Sequence, residues 1–215
     1  MLKNVSKFVQ SLPSLEKLDL NCLRGLEYVF GCHGWEKEQS RLREMHLMDL
    51  DALKRICSGP APHAMFKSLK FLTIYRCKLL QSLFASDVAQ CLFQLEDLLV
   101  EDCPLLKKVM EEKEKTVLPK LKNLVLKNLP MLYRASDTTV DIDIDIECPS
   151  LEQLMVVDCP MLPFSTSSVH LRSLESRNKI LFSTASNYFG STYPVQLNDI
   201  QLYQNLQDRT SGFQA

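Results

Sequence analysis

The chain has 215 residues, 46% hydrophobic and 24% charged, the balance of a packed globular chain and not of a disordered one. Lys plus Arg number 25 against 26 Asp plus Glu, so no basic excess exists to neutralise a phosphate backbone, and no nucleic-acid partner is expected. No apolar run approaches the roughly 18–20 residues that cross a membrane as a helix, so no membrane span is expected.

The N-terminal stretch MLKNVSKFVQSLPSLEKL has neither an unbroken apolar segment nor a small-residue cleavage site, so a secretory signal is not expected. The expected location is cytoplasmic and reducing, with the eight cysteines as thiols. Residues 1–11 read as the end of a preceding unit, with no obvious polar cap for the strand that follows.

From residue 12 onward the chain repeats. Six segments align: LPSLEKLDLNCLRGLEYVF, QSRLREMHLMDLDALKRIC, FKSLKFLTIYRCKLLQSLF, LFQLEDLLVEDCPLLKKVM, LPKLKNLVLKNLPMLYRAS and CPSLEQLMVVDCPMLPFST. Their anchors are Leu15, Leu42, Leu69, Leu95, Leu121 and Leu151, at spacings of 27, 27, 26, 26 and 30 residues. Within each unit the apolar positions fall at offsets 0, 3, 5, 8 and 11 from the anchor, as in Leu95, Leu98, Val100, Cys103 and Leu106. The second unit departs only by placing Met45 at offset 3.

Offsets 3 and 5 lie two apart, so they point to one side of a short strand. After a turn, offsets 8 and 11 return to the same interior. A single unit cannot bury this set, but stacked units make one continuous core with their strands in a parallel sheet. Such units resemble leucine-rich repeats. The expected fold is therefore an α/β-type solenoid, a leucine-rich repeat horseshoe or arc with a concave parallel β-sheet and an irregular convex side.

Residues 12–166 hold the six repeats. The longest interval contains 138–147, which reads as a surface insertion, and 167–215 read as a degenerate repeat and a polar C-terminal tail. Val169, Leu171 and Leu174 are the candidates for a seventh strand, while 175–215 are amide-rich, with Tyr188, Phe189, Tyr193, Tyr203 and Phe213 scattered among polar residues.

No constellation points to catalysis, a cofactor or a metal. Cys77, Cys103 and Cys159 share offset 8, where a small buried side chain fits the turn and hydrogen-bonds weakly. Zinc sites need close cysteine pairs, and Cys22, Cys32 and His33 are too loosely spaced to make one. Asp141, Asp143, Asp145 and Glu147 alternate with isoleucines but lack the glycine and spacing of a calcium loop, and read as a solvated loop edge. The run Glu111-Glu112-Lys113-Glu114-Lys115 reads as a solvated connector. No phosphate-cradling loop, nucleophile elbow or His-Glu-x-x-His helix occurs.

Function then falls to the face opposite the core. Offsets 2, 4 and 6 alternate with the buried positions and project outward. Offset 2 carries Lys17, Glu44, Phe71, Asp97, Asn123 and Gln153, offset 4 carries Asp19, His46, Thr73, Leu99, Val125 and Met155, and offset 6 carries Asn21, Met48, Tyr75, Glu101, Lys127 and Val157. Exposed apolar and aromatic side chains in a row mark a protein-contact patch. The candidates are His46, Met48, Phe71, Thr73, Tyr75, Leu99, Glu101, Val125, Lys127, Met155 and Val157. The competing readings are ordinary scattered surface hydrophobics, or a face covered by the C-terminal tail or a neighbouring domain.

The segments LEDLLVEDCPLLKKV (95–109) and LEQLMVVDCPML (151–162), with their recurring Asp-Cys-Pro turn, resemble repeats of plant intracellular nucleotide-binding, leucine-rich repeat disease resistance proteins of the coiled-coil subgroup. MDLDALKRICSGP (48–60) followed by FKSLKFLTIYRC (66–77) is similar to the same subgroup. The resemblance covers roughly 12–166. It implies a protein partner, a pathogen effector or a host protein altered by one, and contact with a nucleotide-binding domain of a full-length receptor. The phosphate-binding loop and coiled coil of that family are not in this sequence. The alternative is the substrate-recognition repeats of an F-box-type ubiquitin ligase receptor, which share the offset-8 cysteine but continue with an Ile-Thr-Asp-like turn where Pro104 and Pro160 stand here.

Overall fold

A computed structural model describes residues 3–31, 40–58, 63–84, 88, 91–110, 116–132, 146–160 and 180–183. Numbered in chain order, β1 (Lys17–Asn21), β3 (Glu44–Met48), β5 (Phe71–Tyr75), β7 (Asp97–Glu101), β10 (Asn123–Lys127), β12 (Gln153–Val157) and β13 (Ile180–Ser183) form one seven-stranded sheet in that order. Every pairing is parallel, and the register joins Leu18, Met45, Leu72, Leu98, Leu124 and Leu154 across the first six strands. These are the offset-3 residues, so the period read from the sequence is the register of the sheet.

Each coil adds one strand because its inward side chains bury only against the coils beside it. Leu72 and Ile74, Leu98 and Val100, and Leu124 and Leu126 are all buried in one continuous core with the offset-8 and offset-11 residues. Full burial of a leucine contributes roughly 1.5–3 kcal/mol before chain entropy is subtracted.

Two further columns complete the core. One precedes the anchors by three residues, where Phe66, Leu92 and Leu118 are buried and their carbonyls accept the N–H of Leu69, Leu95 and Leu121. The other lies at offset 14, where Val29, Ile56, Leu83 and Val109 are buried. Between coils Phe66 packs edge-on against Phe30 and Phe84, with ring centroids 5.9 Å and 6.2 Å apart.

The convex side, expected to be irregular, carries short parallel strands as well. β2 (Tyr28–Gly31) pairs with β4 (Arg55–Ser58), β6 (Ser82–Phe84) with β8 (Lys108–Met110), and β9 (Thr116–Val117) with β11 (Ile146–Glu147). The described helices are α1 (Ser6–Gln10) and α2 (His63–Phe66). Residues preceding β1 join this side: Lys3 C=O accepts the N–H groups of Glu27 and Tyr28, Val5 N–H donates to Val29 C=O, and Gly31 N–H donates to Ser6 Oγ at 2.6 Å.

The turn out of each strand has one backbone solution. Cys22, Asp49, Arg76, Asp102, Asn128 and Asp158, all at offset 7, have φ between 49° and 58°. In that left-handed conformation the N–H of Cys22, Asp49, Arg76, Asp102 and Asn128 reaches across to the last strand carbonyl of the next coil. Asp and Asn accept positive φ more readily than other side chains, which is the physical content of the recurring Asp-Cys-Pro turn.

The seventh strand differs from the expectation. Val169, Leu171 and Leu174 lie outside the described residues, and the strand beside β12 is Ile180–Ser183, with Ile180 in register with Leu154. The 26-residue step therefore continues past the sixth unit. Within the insertion, Ile146 and Glu147 belong to β11, while Asp141, Asp143 and Asp145 lie outside the described residues, as do 111–115.

Candidate functional site

The alternation of each strand sends offsets 2, 4 and 6 to the face away from the core. All eleven candidate residues stand on this one face, on neighbouring strands in register. Their exposure departs from the expectation of an open row. Met48, Phe71, Tyr75, Lys127 and Val157 are half-buried, whereas His46, Thr73, Leu99, Glu101, Val125 and Met155 are buried. The central offset-4 row is closed over β3 to β12, and the outer rows stay partly open.

The face has a polar end and an apolar end. At the polar end Lys17 Nζ lies 3.6 Å from Asp19 and 3.8 Å from Glu44. His46 Nε2 is 3.9 Å from Asp19 and 3.8 Å from Glu44, while its Nδ1 is buried without a hydrogen-bond partner among the described residues. Burial holds the His46 pKa below its ordinary value, with the Asp19 charge the main opposing influence. The imidazole is therefore neutral at pH 7 and offers one unsatisfied nitrogen. At the apolar end Leu99, Val125 and Met155 form a small cluster with Val157 against it.

A cavity of about 380 Å³ joins the two ends, lined by Glu44, His46, Phe71, Asp97, Leu99 and Val125 among others. On its rim Asn123 donates a short hydrogen bond to Asp97. Beside the apolar end Lys127 pairs with the buried Glu101 at 2.8 Å. Tyr75 carries the Arg76 guanidinium over its ring at 4.5 Å, and that guanidinium also pairs with Asp49 at 2.7 Å. The site therefore combines carboxylates, an unpaired imidazole nitrogen, an aromatic face and an aliphatic floor. That is the inventory of a side-chain recognition surface.

The offset-8 cysteines behave as expected of turn residues. Cys77 Sγ donates to the Leu47 carbonyl at 3.9 Å, and Cys159 Sγ to the Leu126 carbonyl at 3.7 Å, each bridging to the preceding coil. The neighbouring Cys77 thiol and burial hold Cys103 protonated far above the ordinary thiol range, and burial pushes Cys159 up to about 11. Neither is a thiolate nucleophile at neutral pH. Among the described residues no cysteine is in a disulfide. Among the described residues no helix is long and apolar enough to cross a membrane.

Sequence reasoning missed two features of this face. Gln153 Oε1 is buried without a hydrogen-bond partner among the described residues, which spacing alone does not reveal. On the flank at offset 1, Glu96 accepts from Lys70 and Lys122, both at 2.9 Å. The alternation of Lys70, Glu96 and Lys122 one period apart was the available signal for that ladder.

Coils of this length, stacked into one parallel sheet with a leucine core, define a leucine-rich repeat solenoid. Residues 1–104 match the family described as plant disease resistance protein RPS2-like, leucine-rich repeats. Over those residues the chain is similar to leucine-rich repeats of the plant resistance-protein type. No curated protein and no solved structure gives a significant match.

Proposed function

We propose that the chain is a protein-recognition module of a plant disease resistance protein, acting in the cytoplasm on a pathogen effector or on a host protein modified by one. The reading is of a binding surface and not of an enzyme. The observation that carries it is the outer face itself, where the polar end around His46 shares one cavity with the apolar Leu99 and Val125, and Met155 packs against those two. Recognition surfaces join an apolar centre to a polar rim in this way. The RPS2-like match over residues 1–104 supports the defence context, and the proline after Cys103 and Cys159 separates these turns from those of F-box receptor repeats.

Phe71 and Tyr75 are the accessible aromatic anchors, both half-buried on β5. Replacing both by Ala is expected to weaken binding to a captured effector or host protein at least tenfold, with the thermal midpoint within a few degrees of the parent. Unchanged affinity would refute the assignment of this face. Recovery of a ubiquitin-ligase adaptor in place of a defence partner would replace the resistance reading with the F-box one.

A further inference from the structure

The outer face places an aromatic ring between two acids. Glu44, Phe71 and Asp97 are register partners on β3, β5 and β7, all at offset 2. Each is half-buried, and all three line the cavity of about 380 Å³. The two carboxylates stand two strands apart, or about 10 Å along the sheet, with the ring on the strand between them. The charge around the ring is one-sided. Lys17 lines the β1 end of the cavity, and Asp19, 3.6 Å from its Nζ, offsets it. His46, kept neutral by burial, adds no positive charge at pH 7. Asp97 accepts from Asn123, and a carboxylate with about four acceptor sites takes further donors beside that one.

We propose that this cavity receives an arginine side chain of a protein partner, its guanidinium lying on the Phe71 ring between Glu44 and Asp97. The proposal rests on the recognition reading and names the chemistry of the partner. A guanidinium stacks on aromatic faces and carries its donors along the edges of one plane, so from a single position on the ring it meets both carboxylates. An ammonium is a compact, strongly hydrated point charge that pairs with one acid at a time. An acidic side chain is repelled by this wall, and a neutral one gains nothing from its charge. Past the ring, Leu99 and Val125 line the cavity and suit an aliphatic residue next to the arginine. The volume lies at the small end of ligand sites, which run roughly 300–1,000 Å³, and leaves room for one or two side chains of a protein surface.

Titration of the full chain with three dipeptides tests the proposal by nuclear magnetic resonance: acetyl-arginyl-leucine amide, its lysyl counterpart and its citrullyl counterpart, which keeps the shape of arginine without the charge. The arginyl peptide is expected to shift the backbone amides of Phe71, Leu99 and Val125 and to bind at least about fivefold more tightly than the citrullyl one, the size expected for two partly exposed ion pairs. Glu44→Gln and Asp97→Asn, made separately so that one misfolded variant leaves the other to be read, should each bring the arginyl peptide toward the citrullyl affinity and leave the citrullyl affinity unchanged. Equal binding of the arginyl and citrullyl peptides would overturn the proposal, as would equal binding of the arginyl and lysyl peptides. So would shifts at residues outside the cavity, or none at all in a chain with intact far-ultraviolet circular dichroism. The titration needs no captured partner, so it can fail while the Phe71 and Tyr75 double variant still upholds the recognition reading.

Discussion

The left-handed column at offset 7 permits a test in which magnitudes decide the sign. An ordinary L-residue pays about 1–2 kcal/mol at positive φ, and Asn pays less because its short side chain hydrogen-bonds locally. Cys22 (φ 58°) is exposed, and among the described residues its thiol reaches its neighbour, Asn21 Oδ1, at 3.0 Å. Cys22→Asn therefore relieves strain with little lost, and a gain of about 1 kcal/mol is expected. Arg76 (φ 52°) has the same backbone problem but more to lose. Its 2.7 Å ion pair with Asp49 is worth about 0.2–1 kcal/mol, and its position over Tyr75 about 0.5–1 kcal/mol. Arg76→Asn should come out close to neutral. Asn128→Ala runs the other way, losing the favoured side chain and its 2.7 Å hydrogen bond to Asp102, for a cost of about 1–2 kcal/mol. Urea unfolding at constant m-value measures all three as shifts in midpoint. Should Arg76→Asn stabilise as much as Cys22→Asn, the side-chain contacts of Arg76 contribute nothing. Should Cys22→Asn leave the midpoint unmoved, the column is not strained and the reasoning fails.

Two further outcomes follow from the flank and the core. Lys70 and Lys122 bring the Glu96 carboxyl down to about 2 from its ordinary 4.5, so the stabilisation it supplies is fully present above pH 4.5 and is lost as pH falls toward 2. Glu96→Gln should cost about 1 kcal/mol at pH 7, the sum of two surface pairs, and the two proteins should converge near pH 2; a gap independent of pH would show that the ladder is not ionic. Phe66→Ala removes a fully buried ring that meets Phe30 and Phe84 edge-on and should cost about 3–5 kcal/mol by thermal or urea unfolding, whereas a loss under about 1 kcal/mol would mean the coils stack without that column.

What was legible in the chain, and what was not, divides along the range of the interactions involved. Offsets 0, 3, 5, 8 and 11 repeat because neighbouring coils impose the same environment on each unit, so a period in the chain becomes a register in the sheet. The column at Phe66, Leu92 and Leu118 obeys the same logic but is weaker at its ends, where Leu12 is exposed and Cys148 only half-buried. The seventh strand escaped an anchor-based alignment because the 26-residue step from Leu151 lands on Arg177, while the strand pairing itself is carried by Ile180–Ser183. Alternation alone also assigns His46, Thr73, Leu99, Val125 and Met155 to the outer face. It does not reveal that they are buried, because a strand's pattern records which way a side chain points and not how closely its neighbours pack round it. A valine at offset 4 suits a loosely packed face and a closely packed one equally well, and the 2% exposure of Val125 shows that its neighbours on the sheet close round it.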